Sequence, residues 1–110
     1  MPLEMLVGVN VTDAQGYAAY RRGMTPILAA HGGAFGYDLE VSAVLRSPTP
    51  APMNRVFTIR FPDAAARDAF FADPAYQAVR TRHFVPAVSD TTILASWEVP
   101  ATEDGGGAPP

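Results

Sequence analysis

Hydrophobic positions along this chain follow two periods, and the changes of period mark its elements. Residues 4–11, EMLVGVNV, are short, apolar and valine-rich, which predicts a first strand. Tyr17, Tyr20, Met24, Ile27 and His31 then recur every three or four residues, the spacing of one helical face. Thr12 followed by Gln15 reads as a capping box, with Asp13 at the positive end of that helix. Pro26 falls inside it and predicts a kink or a restart, with Thr25 as the new N-cap. Gly32 is expected to end the helix in the left-handed conformation. Phe35, Tyr37, Leu39, Val41, Ala43 and Leu45 alternate with Gly36, Asp38, Glu40, Ser42, Val44 and Arg46, which predicts a long second strand. A proline-rich connection, SPTPAPMN, leads to a third strand over 54–61. Asp63 and Asp73 each stand as N-cap before a further helical segment, the second with Pro74 at its first position. Residues 90–99, DTTILASWEV, predict the last strand.

The order β-α-β-β-α-β predicts an α+β, ferredoxin-like sandwich: an antiparallel sheet with helices on one face. The other face is expected to carry Gly8, Asn10, Asp38, Glu40, Thr58, Arg60, Ser96 and Glu98, interleaved with Leu6, Val44, Val56 and Leu94. A mixed face of that size predicts closure against a second copy, making a homodimer. Residues 1–99 are expected to form one domain, and 100–110 a disordered tail.

Composition narrows the chemistry. The 110 residues are 48% hydrophobic and 17% charged, which suits a packed domain rather than a disordered polyelectrolyte. The absence of cysteine removes disulfides, thiolate catalysis and thiolate metal sites. All eight basic residues are arginine, so no side-chain amine can form a Schiff base. A net charge of −3 without a basic stripe argues against nucleic-acid binding. No basic region precedes the first apolar run and no stretch is long enough to span a bilayer, so a cytoplasmic location is expected. Motifs for nucleotides, serine hydrolysis or a local metal site are missing, and neither cofactor nor metal is expected.

The candidate functional residues each have a plainer reading. His31, at the end of the first helix, either satisfies the last carbonyls or acts as a general base facing a cleft. His83 reads as an amphipathic histidine beside Tyr76 and Val79. Tyr17 and Tyr20 are core with their hydroxyls at the rim, or hydrogen-bond an aromatic substrate. Trp97, with Phe57, Phe70 and Phe71, is core or the wall of an apolar pocket. Arg60 with Glu98, Glu40 and Asp38 is an ion-pair network in a dimer, or Arg60 grips a substrate carboxylate. Together these predict a pocket between helices and sheet lined by Tyr17, Tyr20, His31, Phe57, Tyr76 and Trp97.

HGGAFGYD, NRVFTIRFPD and AFFADPAYQAVRTRHF resemble the bacterial family known as domain of unknown function 1330, of the dimeric α+β barrel group. The resemblance spans roughly residues 4–98. It rests on Gly32-Gly33 after the first helix, on Phe61-Pro62-Asp63 and on Asp73-Pro74-x-Tyr76; the Tyr37–Asp38 and Asn54–Arg55 pairs resemble a subgroup feature. It implies the ferredoxin-like fold and the dimer. The wider group includes cofactor-independent monooxygenases, haem-degrading enzymes and lactone isomerases, but the family has no established reaction. By that analogy, oxygenation or isomerisation of an aromatic or cyclic metabolite is one expectation, with His31 as base and Arg60 as anion partner. A non-enzymatic dimeric binding module is the alternative.

Overall fold

The valine-rich first segment forms β1 (Leu3–Val11), an inner strand of the sheet. In the computed structural model, which describes residues 1–100, β1 pairs antiparallel with β3 (Arg55–Phe61) on one side and β4 (Val88–Glu98) on the other. β2 (Ala34–Glu40) adds to the free edge of β3, giving the order β2-β3-β1-β4. The connections are α1 (Ala14–Ala30) between β1 and β2, and a helical run between β3 and β4. That run comprises α2 (Ala64–Ala72), α3 (Pro74–Val79), a π-helical turn (Arg80–Phe84) and the short α4 (Val85–Ala87). This is the expected ferredoxin-like plan. Of the expected tail, only Pro100 falls among the described residues.

Alternate residues of β1 and β3 turn toward the helices. Met5, Val7 and Val9 join Phe57, Ile59 and Phe61 under Tyr17, Tyr20, Met24 and Leu28 of α1. Phe61 and Phe70 are fully enclosed; burying each phenylalanine stabilises the fold by about 1.5–3 kcal/mol. Asp63 and Asp73 cap α2 and α3 as their spacing predicts, accepting from the Ala66 and Ala75 N–H groups. Gly32 ends α1 at φ 79°, a conformation that strains any residue with a Cβ.

Four local readings need correction. Asp13, not Thr12, caps α1, accepting from the Gly16 N–H; the Thr12 hydroxyl instead donates to the Ala87 carbonyl. Pro26 does not restart α1, which runs through it with Thr25 donating to the Arg21 carbonyl. A mid-helix proline costs about 3 kcal/mol, and the burial of Met24 and Leu28 on either side holds the helix together. β2 stops at Glu40. Continuing it would need donors from the segment containing Pro48, Pro50 and Pro52, which have no N–H. Finally, both outer strands carry bulges, between Phe35 and Asp38 and beside Leu94. Each reverses which face the following residues occupy.

Those reversals redistribute the charges. Asp38 sits opposite Phe57 and Glu40 opposite Arg55, on the helix side. Ser96 pairs with Met5 and Glu98 with Leu3, also on that side. The open face keeps Glu4, Leu6 and Gly8, with Thr58 and Arg60 opposite them. Val56, Leu94 and the Met53 side chain lie around Gly8, where an added Cβ would meet the Met53 sulfur at 2.6 Å.

Candidate functional site

Between the sheet and α1, α2 and α3 the side chains leave an apolar cavity of about 90 Å³. β1 and β3 contribute its floor through Val7, Phe57 and Ile59; Tyr20 and Met24 of α1 and Tyr76 of α3 form its roof. It extends toward Phe84, Thr91 and Ile93. Ile93 is half exposed, so this side is the mouth. Phe84 reaches it from the π-helical turn, in which the Val85 N–H bonds back five residues to the Arg80 carbonyl. Such wide turns displace one side chain relative to a regular helix and recur at functional sites. The Phe84 ring rests on Tyr20, centroids 4.8 Å apart.

The polar feature of this roof is a pair of phenols. The Tyr20 and Tyr76 hydroxyls lie 2.9 Å apart, although the two residues are 56 positions apart in sequence. Burial pushes both phenol pKa values up, and for Tyr20 the facing Tyr76 hydroxyl pushes in the same direction. Both therefore remain neutral hydrogen-bonding groups and are poor bases at neutral pH.

Tyr17 lies one turn away. Its ring is tilted against Tyr20 at 5.8 Å and its hydroxyl accepts from Arg21 Nε. Burial raises the Tyr17 pKa despite the nearby arginines. The Arg21 guanidinium stands 3.9 Å above the Phe35 ring and 5.0 Å from that of Phe57, on the flank of the cavity. Its Nη2 is buried without a hydrogen bond, though Asp38 Oδ1 stands 3.4 Å away. The Arg21–Asp38 contact is therefore Coulombic rather than a hydrogen bond. Asp38 gives its best geometry to Arg55, which donates from Nε and Nη2 at 2.8 and 2.9 Å. These bonds hold the Asp38 carboxyl below its ordinary range and raise the Arg55 pKa. Arg55 is thus held in an ion pair with Asp38.

His31 is at the far end of α1. It caps the helix through its backbone N–H, and its Nε2 lies 2.8 Å from Asp73 Oδ2. That hydrogen bond, then the cap to Ala75, holds the Asp73 carboxyl below its usual pKa. The His31 ring meets Phe70 edge-on at 5.9 Å but does not line the cavity. His83 lies half-buried in the π-helical turn, also outside the lining.

Of the residues expected to form one pocket, the fold brings together Tyr20, Phe57 and Tyr76, with Tyr17 against Tyr20. Arg60 and Trp97 are elsewhere. Both stand in register with Glu4 on the open face, Arg60 Nη2 reaching Glu4 Oε1 at 3.3 Å and Trp97 remaining 41% exposed. Neither Glu98, Glu40 nor Asp38 pairs with Arg60, because the bulges put them on the opposite face. Phe35, Arg21 and Phe84 belong to the region but were not singled out from sequence. The four-residue step from Tyr17 to Arg21 was the available signal for Arg21. Among the described residues no group of three or more His, Asp or Glu side chains is placed to hold a metal ion. A larger hollow, about 570 Å³, is an open trough lined by Glu40, Asn54 and Arg55 among others, and contains none of the expected pocket residues. No helix among the described residues is long and apolar enough to cross a membrane.

Known proteins place the fold firmly. A protein of unknown function from Rhodopseudomonas palustris is 25% identical, over 89% of this chain and 82% of its own, with a TM-score of 0.75. A dabb family protein with a ferredoxin-like fold from Mesorhizobium loti is 21% identical over 90% of this chain and 96% of its own, TM-score 0.63. A dimeric ferredoxin-like protein of unknown function from Thermobifida fusca is 13% identical over 90% and 92%, TM-score 0.58. No curated protein matches the sequence. The family model described as domain of unknown function (DUF1330) matches residues 5–96, and the chain belongs to that family.

Proposed function

We propose that this protein is a homodimer that binds a small aromatic or cyclic metabolite in the cavity between its helices and sheet. The observation that carries the reading is the aromatic-walled cavity itself: apolar surroundings, a hydrogen-bonded pair of phenols on two lining residues and a side open beside Ile93. Binding sites for small molecules combine an apolar lining with few convergent polar groups. At about 90 Å³ the space is small. The ligand is therefore one ring, or a larger group admitted when Phe84 swings aside.

The dimer reading rests on the open sheet face. Leu39, Leu94 and Trp97 are each more than 40% exposed there, and the Arg60–Glu4 pair offers both charges to a two-fold copy of itself. The Thermobifida fusca neighbour is itself described as dimeric, which supports a dimer here.

Binding is favoured over cofactor-independent oxygenation or isomerisation. His31 is engaged through Nε2 by Asp73 outside the lining, and Arg60 is on the opposite face of the sheet. The residues expected to serve as base and anion partner therefore do not converge on one ligand.

Native mass spectrometry of freshly purified protein tests both parts. The expected spectrum is a dimer, with a small-molecule adduct that is lost on collisional activation. A monomer contradicts the sheet-face dimer. An adduct that persists when Phe57→Trp fills the cavity contradicts the site.

A further inference from the structure

We infer that the ligand of the cavity is an uncharged ring compound carrying a single accepting oxygen, a cyclic ketone or its equivalent, held by the Tyr20–Tyr76 hydroxyl pair. The inference rests on the pocket reading above and adds the chemistry of its occupant.

Each phenol has one O–H donor. Their mutual hydrogen bond uses one of the two protons, whichever residue donates. Among the described residues neither hydroxyl has a second partner, so in either arrangement one proton is left without an acceptor, on a residue that lines the cavity. A buried donor without an acceptor is costly, and a donor already in a hydrogen-bonded chain is a stronger one. A ligand oxygen in the cavity would take that proton.

Charge is excluded by the lining, which contains no Asp, Glu, His, Lys or Arg. An ion placed there would lose its hydration without a counter-charge. Arg21 is the nearest guanidinium described, and it lies against the Phe35 and Phe57 rings, held by the Tyr17 oxygen and by Asp38. Thr91 is the remaining hydroxyl of the lining, on an exposed stretch of β4 toward the mouth. Size sets the ring. An apolar cavity of about 150 Å³ holds benzene, so this smaller space, about 90 Å³, takes no more than one small ring with the side chains as they stand.

The test uses three probes of similar shape: cyclopentanone, methylenecyclopentane, in which CH₂ replaces the oxygen, and cyclopentanecarboxylate. Each is titrated into the wild type and into the double variant Tyr20→Phe/Tyr76→Phe, which keeps both rings. The ketone is expected to lose about tenfold or more in affinity in the double variant, while the alkene is unchanged or binds more tightly. A second readout needs no variant: the infrared carbonyl stretch of bound ¹³C-cyclopentanone should fall below its value in hydrocarbon solvent. Equal responses of ketone and alkene to the double variant, an unshifted stretch, or tighter binding of the carboxylate would overturn this inference and leave the pocket standing. Binding of none of the three would overturn the pocket reading as well.

Discussion

His31 Nε2 lies 2.8 Å from Asp73 Oδ2, and the other oxygen of the same carboxylate accepts from the Ala75 N–H. One side chain therefore fastens the end of α1 to the start of α3. Asparagine can still cap a helix whereas alanine cannot, so the urea midpoints should fall in the order wild type, Asp73→Asn, Asp73→Ala. The acid side carries a second signature. The Asp73 and Asp38 carboxyls both have lowered pKa values in the folded protein, so the unfolded chain takes up their protons first as pH falls. The stability they contribute is present above the ordinary value of 3.8 and is lost as pH drops through the lower folded values. Asp73→Asn should flatten that decline. An unchanged slope below pH 4 would contradict the assignment.

The phenol pair predicts non-additivity. Removing one hydroxyl by Tyr20→Phe leaves the other buried without its partner, at a cost of about 1–2 kcal/mol. Removing both should cost less than the sum of the single changes, because the pair is replaced by two apolar rings of the same shape. Denaturant unfolding of the four species measures the coupling. The raised pKa values add a basic limb: above pH 10 the unfolded chain ionises Tyr17, Tyr20 and Tyr76 while the native protein does not. Stability should therefore fall as pH rises past 10, and less so in the double variant.

Asp38 faces two arginines, and its removal is expected to matter more than removal of either one. Asp38→Ala leaves the Arg21 guanidinium against Phe35 with no carboxylate and should destabilise by about 1–3 kcal/mol. Arg21→Leu removes the cation together with its unbonded Nη2 and should cost less. Thermal unfolding at matched ionic strength decides the order.

Much of the architecture was written in the spacing of apolar residues. The face from Tyr17 to Leu28 and the caps at Asp63 and Asp73 depend on neighbours within a few residues. They were legible for that reason. The bulges beside Phe35 and Leu94 were not, since a one-residue irregularity depends on the partner strand and reverses every later side chain. That is why Asp38 and Glu98 were expected on the wrong face, and why Trp97 was expected in the pocket. The site shows the same division. Tyr20 and Phe57 follow from period alone, whereas the His31–Asp73 and Tyr20–Tyr76 pairs join residues 42 and 56 positions apart, a proximity that local spacing does not encode.

The four methionines stand at separate places in the fold and together report whether the cavity is occupied. Met5 and Met24 line the cavity, Met53 lies over Gly8 on the open sheet face, and Met1 is exposed. Methyl-¹³C-methionine NMR during titration with cyclopentanone, phenol or toluene should shift the Met5 and Met24 resonances saturably and leave Met1 and Met53 in place. No saturable shift at Met5 and Met24, or one confined to Met53, would contradict a binding site between the helices and the sheet.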